Sequence, residues 1–268
     1  MATRFVRAIV KRWPRHDPAA TVRRARRVFG LGSPLNFLYT RGLVRSQVRQ
    51  GEVRGEWLAP RGVEHNQSVL LYLHGGGYVA CSPGSHLPIT ATLARLLKRR
   101  VFSVDYRLAP EHPFPAAVDD AAAAYSWLLT EGVLPQSITV AGDSAGGGLA
   151  LSLLLRLRRT GVRLPARAVL IAPWVDLTGK GPYRNVKSCA MFTGEEAATF
   201  AALYLNGTAP ETEECSPLFA DLHGLPPLLI QISSTEMLLV EAERLHERAQ
   251  AAGVDARLSI YPGLPHVW

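Results

Sequence analysis

Apolar and polar positions along the chain fall into two alternating patterns after about residue 52. Short β-rich runs occur at Ser68–Leu73, Val101–Tyr106, Ile138–Ala141, Ala168–Ile171, Leu228–Ile232 and Ala256–Tyr261. Stretches of helical periodicity lie between them, at His86–Lys98, Ala116–Leu129, Ala145–Arg159 and Leu238–Ala251. Strands that alternate with helices predict an α/β fold, a mainly parallel sheet with helices on both faces. Glu52–Leu58 reads as an edge strand. Residues 178–215 break the rhythm with Gly, Pro and Thr and no strand pattern, and they read as an insertion. The whole chain, 1–268, is expected to form a single domain, with lid elements from about 1–50 and 178–215.

Charge changes this picture only at the start. Net charge is +8, but twelve of the thirty basic residues fall within residues 1–50, against the single acid Asp17. The remaining body is slightly acidic. Phe5, Val6, Ile9, Val10 and Trp13 follow helical spacing, with basic residues largely on the other side of the wheel. A helix docked on its own protein, basic face in solvent, is the simplest reading, with peripheral membrane contact as the sharper one. No nucleic-acid module accompanies the charge, so nucleic acid is not expected as a partner. Cys81, Cys189 and Cys215 are odd in number, widely spaced and without a CxxC, which predicts free thiols and a cytoplasmic setting. No secretory leader is recognisable in Met1–Arg15. Assembly into a homodimer stays open.

The chemistry concentrates in three places. Gly142-Asp143-Ser144-Ala145-Gly146 lies between a strand and a helix, the context a nucleophile elbow requires. Ser144 is the candidate nucleophile, and Asp143 supports the motif. His74-Gly75-Gly76-Gly77-Tyr78 also follows a strand directly, and amides of such a glycine loop can meet negative charge developing on a carbonyl oxygen. The amide of Ala145, next after the nucleophile, would join them. His74 precedes the nucleophile and reads as a loop anchor rather than as the base.

The general base should follow the nucleophile, which leaves His223, His246 and His266. His246 falls within a helix and His223 in a loop before a strand. His266 sits beyond the strand Ala256–Tyr261, in the loop at its carboxyl end, where α/β active sites gather. It is the expected base. Glu236, in the loop after the preceding strand, is the expected acid, with Asp176 and Glu241 as rivals.

These motifs resemble the hormone-sensitive-lipase family of bacterial esterases, within the α/β-hydrolase fold. His74–Gly77, Gly142–Gly147, the connecting run Asp105-Tyr106-Arg107-Leu108-Ala109-Pro110-Glu111-His112-Pro113-Phe114-Pro115-Ala116-Ala117 and the loop Tyr261–His266 carry the resemblance over roughly residues 68–268. It implies a carboxylic ester hydrolase of the serine type, acting on short to medium acyl esters through an acyl-enzyme, without a cofactor. It also implies an oxyanion hole from Gly76, Gly77 and Ala145, with Gly75 supporting the loop. Lactones or aryl amides are alternative substrates for the same triad. Plant gibberellin receptors, similar to this family, lack the histidine and hold a ligand instead; His266 favours an enzyme, with a catalytically weak ligand-binding relative, through truncation at the C-terminus, as the alternative. Two features depart from the family. Glu236 stands where Asp is usual, and Val240 replaces an acid. The sequence runs only two residues past His266, where relatives continue into a helix. A C-terminal helix is therefore expected to be missing, one sheet face to lie open and His266 to be mobile, with Trp268 as its anchor.

Overall fold

The computed structural model describes residues 17–30, 36–181 and 192–267. The expected amphipathic helix in Met1–Arg15, Cys189 and Trp268 lie outside them. Eight strands form one sheet: β1 (Leu43–Gln50), β2 (Val53–Pro60), β3 (Val69–Leu73), β4 (Arg100–Val104), β5 (Ile138–Asp143), β6 (Arg167–Ile171), β7 (Leu228–Ser233) and β8 (Ala256–Tyr261). Their spatial order is β1-β2-β4-β3-β5-β6-β7-β8. β1, β2 and β4 pair antiparallel, and every pairing from β4 through β3 to β8 is parallel.

The helices are α1 (Pro18–Phe29), α2 (Asn36–Thr40), α3 (Leu87–Leu97), α4 (Ala116–Thr130), α5 (Ala145–Arg159), α6 (Gly194–Leu205) and α7 (Leu239–Ala251). Side chains alternate across β3, as the two-residue period of a strand requires. Val69, Leu71 and Leu73 join the larger core with α4, α5 and α7, whereas Leu70 and Tyr72 join a smaller one with Leu87, Ala91 and Ala94 of α3. Because both faces of β3 are covered, the strand is apolar throughout and fully buried. On the α3 side a concave surface of about 810 Å³ lies open beside β5–β8, with Leu93, Leu96, Leu97, Val169 and Leu229 among its apolar lining.

The assignment of residues 1–50 to a lid needs correction. Leu43–Gln50 is not lid but the first strand of the sheet, paired along its whole length with β2. Its side chains are almost all exposed, so nothing apolar alternates to betray it. Most described arginines of the basic segment are exposed, but one is committed to the body of the protein. From α1, Arg26 donates to the carbonyls of Val79 (2.8 Å) and Ala109 (3.0 Å) and grips Glu111 at 2.5–2.8 Å. Among the described residues no helix is long and apolar enough to cross a membrane.

Candidate active site

β5 ends at Asp143 and α5 begins at Ala145, so Ser144 alone makes the turn between them. Its backbone has φ 52°, ψ −121°, a conformation costly for a residue with a Cβ. The turn survives because its backbone is held on several sides. Ser144 N–H donates to Ile171 O at 2.8 Å, and Ser144 O accepts from Gly147, Gly148 and Trp174 N–H at 2.9–3.1 Å. The glycine at 146 is dictated by sterics: a Cβ there would lie 2.1 Å from Leu73 O and 2.5 Å from His74 O. Although Ser144 occupies the N-cap of α5, its side chain makes no cap hydrogen bond. Oγ is left facing the cavity described below.

His266 and Glu236 come from the loops after β8 and β7. Neighbouring parallel strands bring these loops together, and three side-chain bonds lace them. Leu264 O accepts from Ser233 Oγ (2.8 Å) and Thr235 Oγ1 (2.7 Å), while Gly263 N–H donates to Ser234 Oγ (3.2 Å). Across this seam His266 Nδ1 meets Glu236 Oε2 at 2.6 Å. Glu236 is 1% exposed and His266 9%. Phe192 packs edge-on against the imidazole at 4.9 Å. The expected mobile histidine is thus a buried and braced one.

The rival acids have other occupations. Asp176 Oδ1 accepts from Thr178 N–H (2.9 Å) and Thr178 Oγ1 (2.5 Å), and Arg244 lies 3.9 Å from Oδ2. Glu241 Oε2 accepts from the amides of Val175 (3.0 Å) and Asp176 (3.1 Å). Burial pushes the Glu241 carboxyl up to about 8, with the Asp176 charge adding to it against the pull of those amides. His223 is exposed, and His246 is fixed in α7.

The glycine loop after β3 is shaped by Asp143. That buried carboxylate accepts from Tyr72 Oη (2.7 Å) and Gly75 N–H (3.1 Å) and lies 3.3 Å from His86 Nε2. Desolvation alone would raise the Asp143 pKa, but His86 and these hydrogen bonds outweigh it and hold it low. Burial likewise opposes a charged His86, and the Asp143 carboxylate more than compensates, so its pKa is raised. An imidazolium there can donate to Asp143 from Nε2 and to Ser85 Oγ, 3.1 Å away, from Nδ1. Gly75 is confined by the same carboxylate, since a Cβ would fall 2.2 Å from Asp143 Oδ2. Its amide is therefore spent on the loop. By contrast, no hydrogen bond among the described residues engages the amides of Gly76, Gly77 or Ala145.

His74 is kept neutral by burial, which lowers its pKa to about 3. It stacks on Tyr106 at 4.2 Å, and Tyr106 Oη donates to His74 O at 2.6 Å. The connecting run Asp105–Ala117 thereby acquires a purpose. Tyr106 holds His74, Ala109 N–H bonds Tyr78 O (2.9 Å), and Arg107 is clamped to Asp120 at 2.7–3.0 Å.

All these parts meet at one cavity of about 270 Å³. Ser144, His266, Gly76 and Gly77 open onto it, and its walls are mostly apolar: Ala25 and Phe29 of α1, Ile89, Trp174, Phe192, Ala197 and Phe200.

A family model described as the alpha/beta hydrolase fold matches residues 70–268. The chain belongs to the α/β-hydrolase family, on its hormone-sensitive-lipase branch. An acetyl-hydrolase of Streptomyces hygroscopicus is 42% identical over 223 residues, covering 82% of this chain and 74% of that protein. The solved structure of an esterase from the bacterial hormone-sensitive lipase family superposes with a TM-score of 0.87 at 39% identity, covering 99% of this chain and 88% of the other. A structure of EstE5 soaked with p-nitrophenyl butyrate gives 0.86 at 36% identity, over 100% and 88%. As a hydrolase of this branch the chain is a serine carboxylesterase.

Several groups at this hydrolase site were not anticipated from the sequence: Tyr72, His86, Arg26, Phe192 and Phe200. Apart from Tyr72, in the strand directly before the glycine loop, each comes from a segment outside the motifs that mark the site. Only His86 carried a local signal, a histidine at the mouth of a predicted helix.

Proposed function

We propose that this chain hydrolyses small carboxylic esters with short to medium acyl groups, using Ser144, His266 and Glu236 as its triad. One observation carries the reading: a strained serine without a structural hydrogen bond opens onto the same cavity as a histidine bonded to a buried glutamate.

In this reading Ser144 Oγ attacks the ester carbonyl as His266 Nε2 accepts its proton. Glu236 holds the imidazole through Nδ1 and stabilises the imidazolium. The amides of Gly76, Gly77 and Ala145, uncommitted elsewhere, receive the negative oxygen, and each donor is worth ~3 kcal/mol of barrier. Collapse expels the alcohol, which takes its proton from His266 and leaves an acyl-Ser144. Water, deprotonated by the same base, releases the acid. No redox step occurs, so the chain's own residues supply every proton movement. Gly75, committed to Asp143, keeps the loop in shape.

The cavity also speaks to substrate size. Small-molecule pockets run from about 300 to 1,000 Å³, and 270 Å³ lies at the lower edge. Its mostly apolar walls fit an alkyl chain. Residues of α1 and of the 178–215 insertion supply much of the wall, which supports their role as lid elements. Free Cys81 and Cys215 fit a reducing, cytoplasmic setting.

A p-nitrophenyl ester series from acetate to palmitate tests the reading. The expected profile peaks at or below about eight carbons, and Ser144→Ala should lower the rate on the order of 10⁴–10⁶-fold. Equal rates on butyrate and palmitate would refute the size argument, and a Ser144→Ala variant above a tenth of the parent rate would refute the nucleophile.

A further inference from the structure

Three consecutive residues of the glycine loop have left-handed backbones: Gly76 (φ 114°), Gly77 (φ 63°) and Tyr78 (φ 63°). Glycine adopts this region freely, but tyrosine does not. Something must hold Tyr78 there, because relaxation of its φ would swing the Gly77–Tyr78 peptide and shift the preceding backbone of Gly76 and Gly77, which lines the cavity. The backbone supplies one restraint, the bond from Ala109 N–H to Tyr78 O. The rest comes from α6.

One face of that helix presses on the loop. Phe200 lies so close to Gly77 that a Cβ there would sit 2.7 Å from the ring. One turn later Tyr204 stacks flat on Tyr78, with ring centroids 3.8 Å apart and planes 9° from parallel. A spacing of four residues places both rings on the same stripe of the helix. Both tyrosines are 1% exposed. Tyr204 is itself fixed, since its carbonyl accepts from Phe114 N–H at 2.8 Å. α6 is capped at both ends, by the Thr193–Glu196 capping box and by a left-handed Asn206. Among the described residues the buried Tyr204 hydroxyl has no hydrogen-bond partner, so what the loop uses is the ring.

We infer that Phe200 and Tyr204 clamp the oxyanion loop, and that Tyr204 is a positioning residue for catalysis rather than a packing residue of a cover over the pocket. The inference rests on the reading of Gly76 and Gly77 as oxyanion donors and extends it to a helix from the 178–215 insertion. The clamp acts on the transition state: the loop amides meet charge that exists only once the carbonyl has been attacked. Its loss should therefore fall on kcat.

The test is Tyr204→Leu against Tyr204→Phe, with kcat expressed per active site counted by an organophosphonate, and with p-nitrophenyl acetate as the substrate. Tyr204→Leu should lower kcat about 10²-fold, the scale of one misplaced oxyanion donor, with KM within threefold. Affinity for a trifluoromethyl ketone, which mimics the attacked carbonyl, should fall in parallel. Tyr204→Phe keeps the ring and should match the parent. A Tyr204→Leu enzyme with parental kcat per titrated site, whatever its melting temperature, would overturn the inference. So would an equal loss in Tyr204→Phe. Should Tyr204→Leu fail to fold, Phe200→Ala carries the test. Its ring is only partly buried, acetate does not depend on cavity depth, and unchanged kcat would count against the clamp. Failure of the underlying reading looks different, because the parent itself would then hold the trifluoromethyl ketone no more tightly than p-nitrophenyl acetate.

Discussion

Besides Asp143, the buried carboxylates Glu236, Asp176 and Glu241 lie within reach of the active-site loops, and replacing each of these three with its amide should separate them sharply. In Glu236→Gln the side chain keeps its volume but loses the charge 2.6 Å from His266 Nδ1. A unit charge acting on the imidazolium at about 4 Å with an effective dielectric near 20 is worth ~4 kcal/mol. At about 1.4 kcal/mol per decade that amounts to roughly 10³ in rate. The amide can also present its NH₂ group to Nδ1 and select the wrong tautomer, which takes the comparable serine-protease substitution to ~10⁴. The expected loss in kcat is therefore 10³–10⁴-fold, with KM little changed, because the carboxylate stands behind the base. Asp176→Asn should cost less than about tenfold, since Asp176 is committed to Thr178 and to Arg244. Glu241→Gln should be nearly silent at pH 7: a carboxyl with a pKa of about 8 is already mostly protonated there. Its effect should grow above pH 8, where the parent side chain ionises. The assay is p-nitrophenyl butyrate hydrolysis from pH 6 to 9, normalised to titrated sites. If Asp176→Asn or Glu241→Gln were the more damaged enzyme at pH 7, or if Glu236→Gln kept a tenth of parental kcat, the assignment of the acid would fall.

Two stability predictions use the same geometry. Gly146→Ala would push a Cβ to 2.1 Å from Leu73 O. Overpacking against rigid backbone falls at or above the upper end of the ~1–3 kcal/mol range, so the melting temperature should drop by roughly 6–12 °C. Gly132→Ala, with open space at φ 82°, should lose only ~1–2 kcal/mol; equal losses in differential scanning fluorimetry would refute the steric account. His86→Gln probes the pair with Asp143. The raised His86 pKa stabilises the fold fully below its ordinary 6.5, and this stability fades as pH rises through the raised folded value; the lowered Asp143 pKa stabilises above its ordinary 3.8, a gain lost as pH falls through the folded value. The melting-temperature gap between parent and variant should thus be widest between about pH 4 and 6.5 and narrow at alkaline pH, and a gap constant from pH 5 to 9 would refute the ion pair.

What could be read before any coordinates existed follows from how far each feature extends along the chain. The nucleophile elbow is a local device, five residues whose glycines answer to clashes with Leu73 and His74 backbone, and it is written contiguously. The meeting of His266 with Glu236 was legible through chain order and strand adjacency, because neighbouring parallel strands place their following loops side by side. β1 escaped notice for the opposite reason. An edge strand with polar side chains on both faces carries no alternation, and its run of arginines looked like the basic segment before it.

The groups that escaped notice around the site share one property, which is that their partners are remote. His86 matters only because Asp143 is buried beside it, and Tyr72 only because β3 and β5 are neighbours. Tyr204 is an ordinary core aromatic by periodicity, and nothing within α6 says that its ring meets a tyrosine in left-handed conformation more than a hundred residues earlier. The glycines of the loop announce that the backbone there is unusual, but they leave open what holds it so. A loop that must keep its amides free of hydrogen bonds cannot be fixed by those amides. Its order has to come from groups packed behind it, and in this fold they are the side chains of Asp143 and His86 on one side, the Tyr106 ring and the Ala109 backbone on another, and α6 on the third. A motif can therefore identify the donors of such a site without revealing the contacts on which their aim depends.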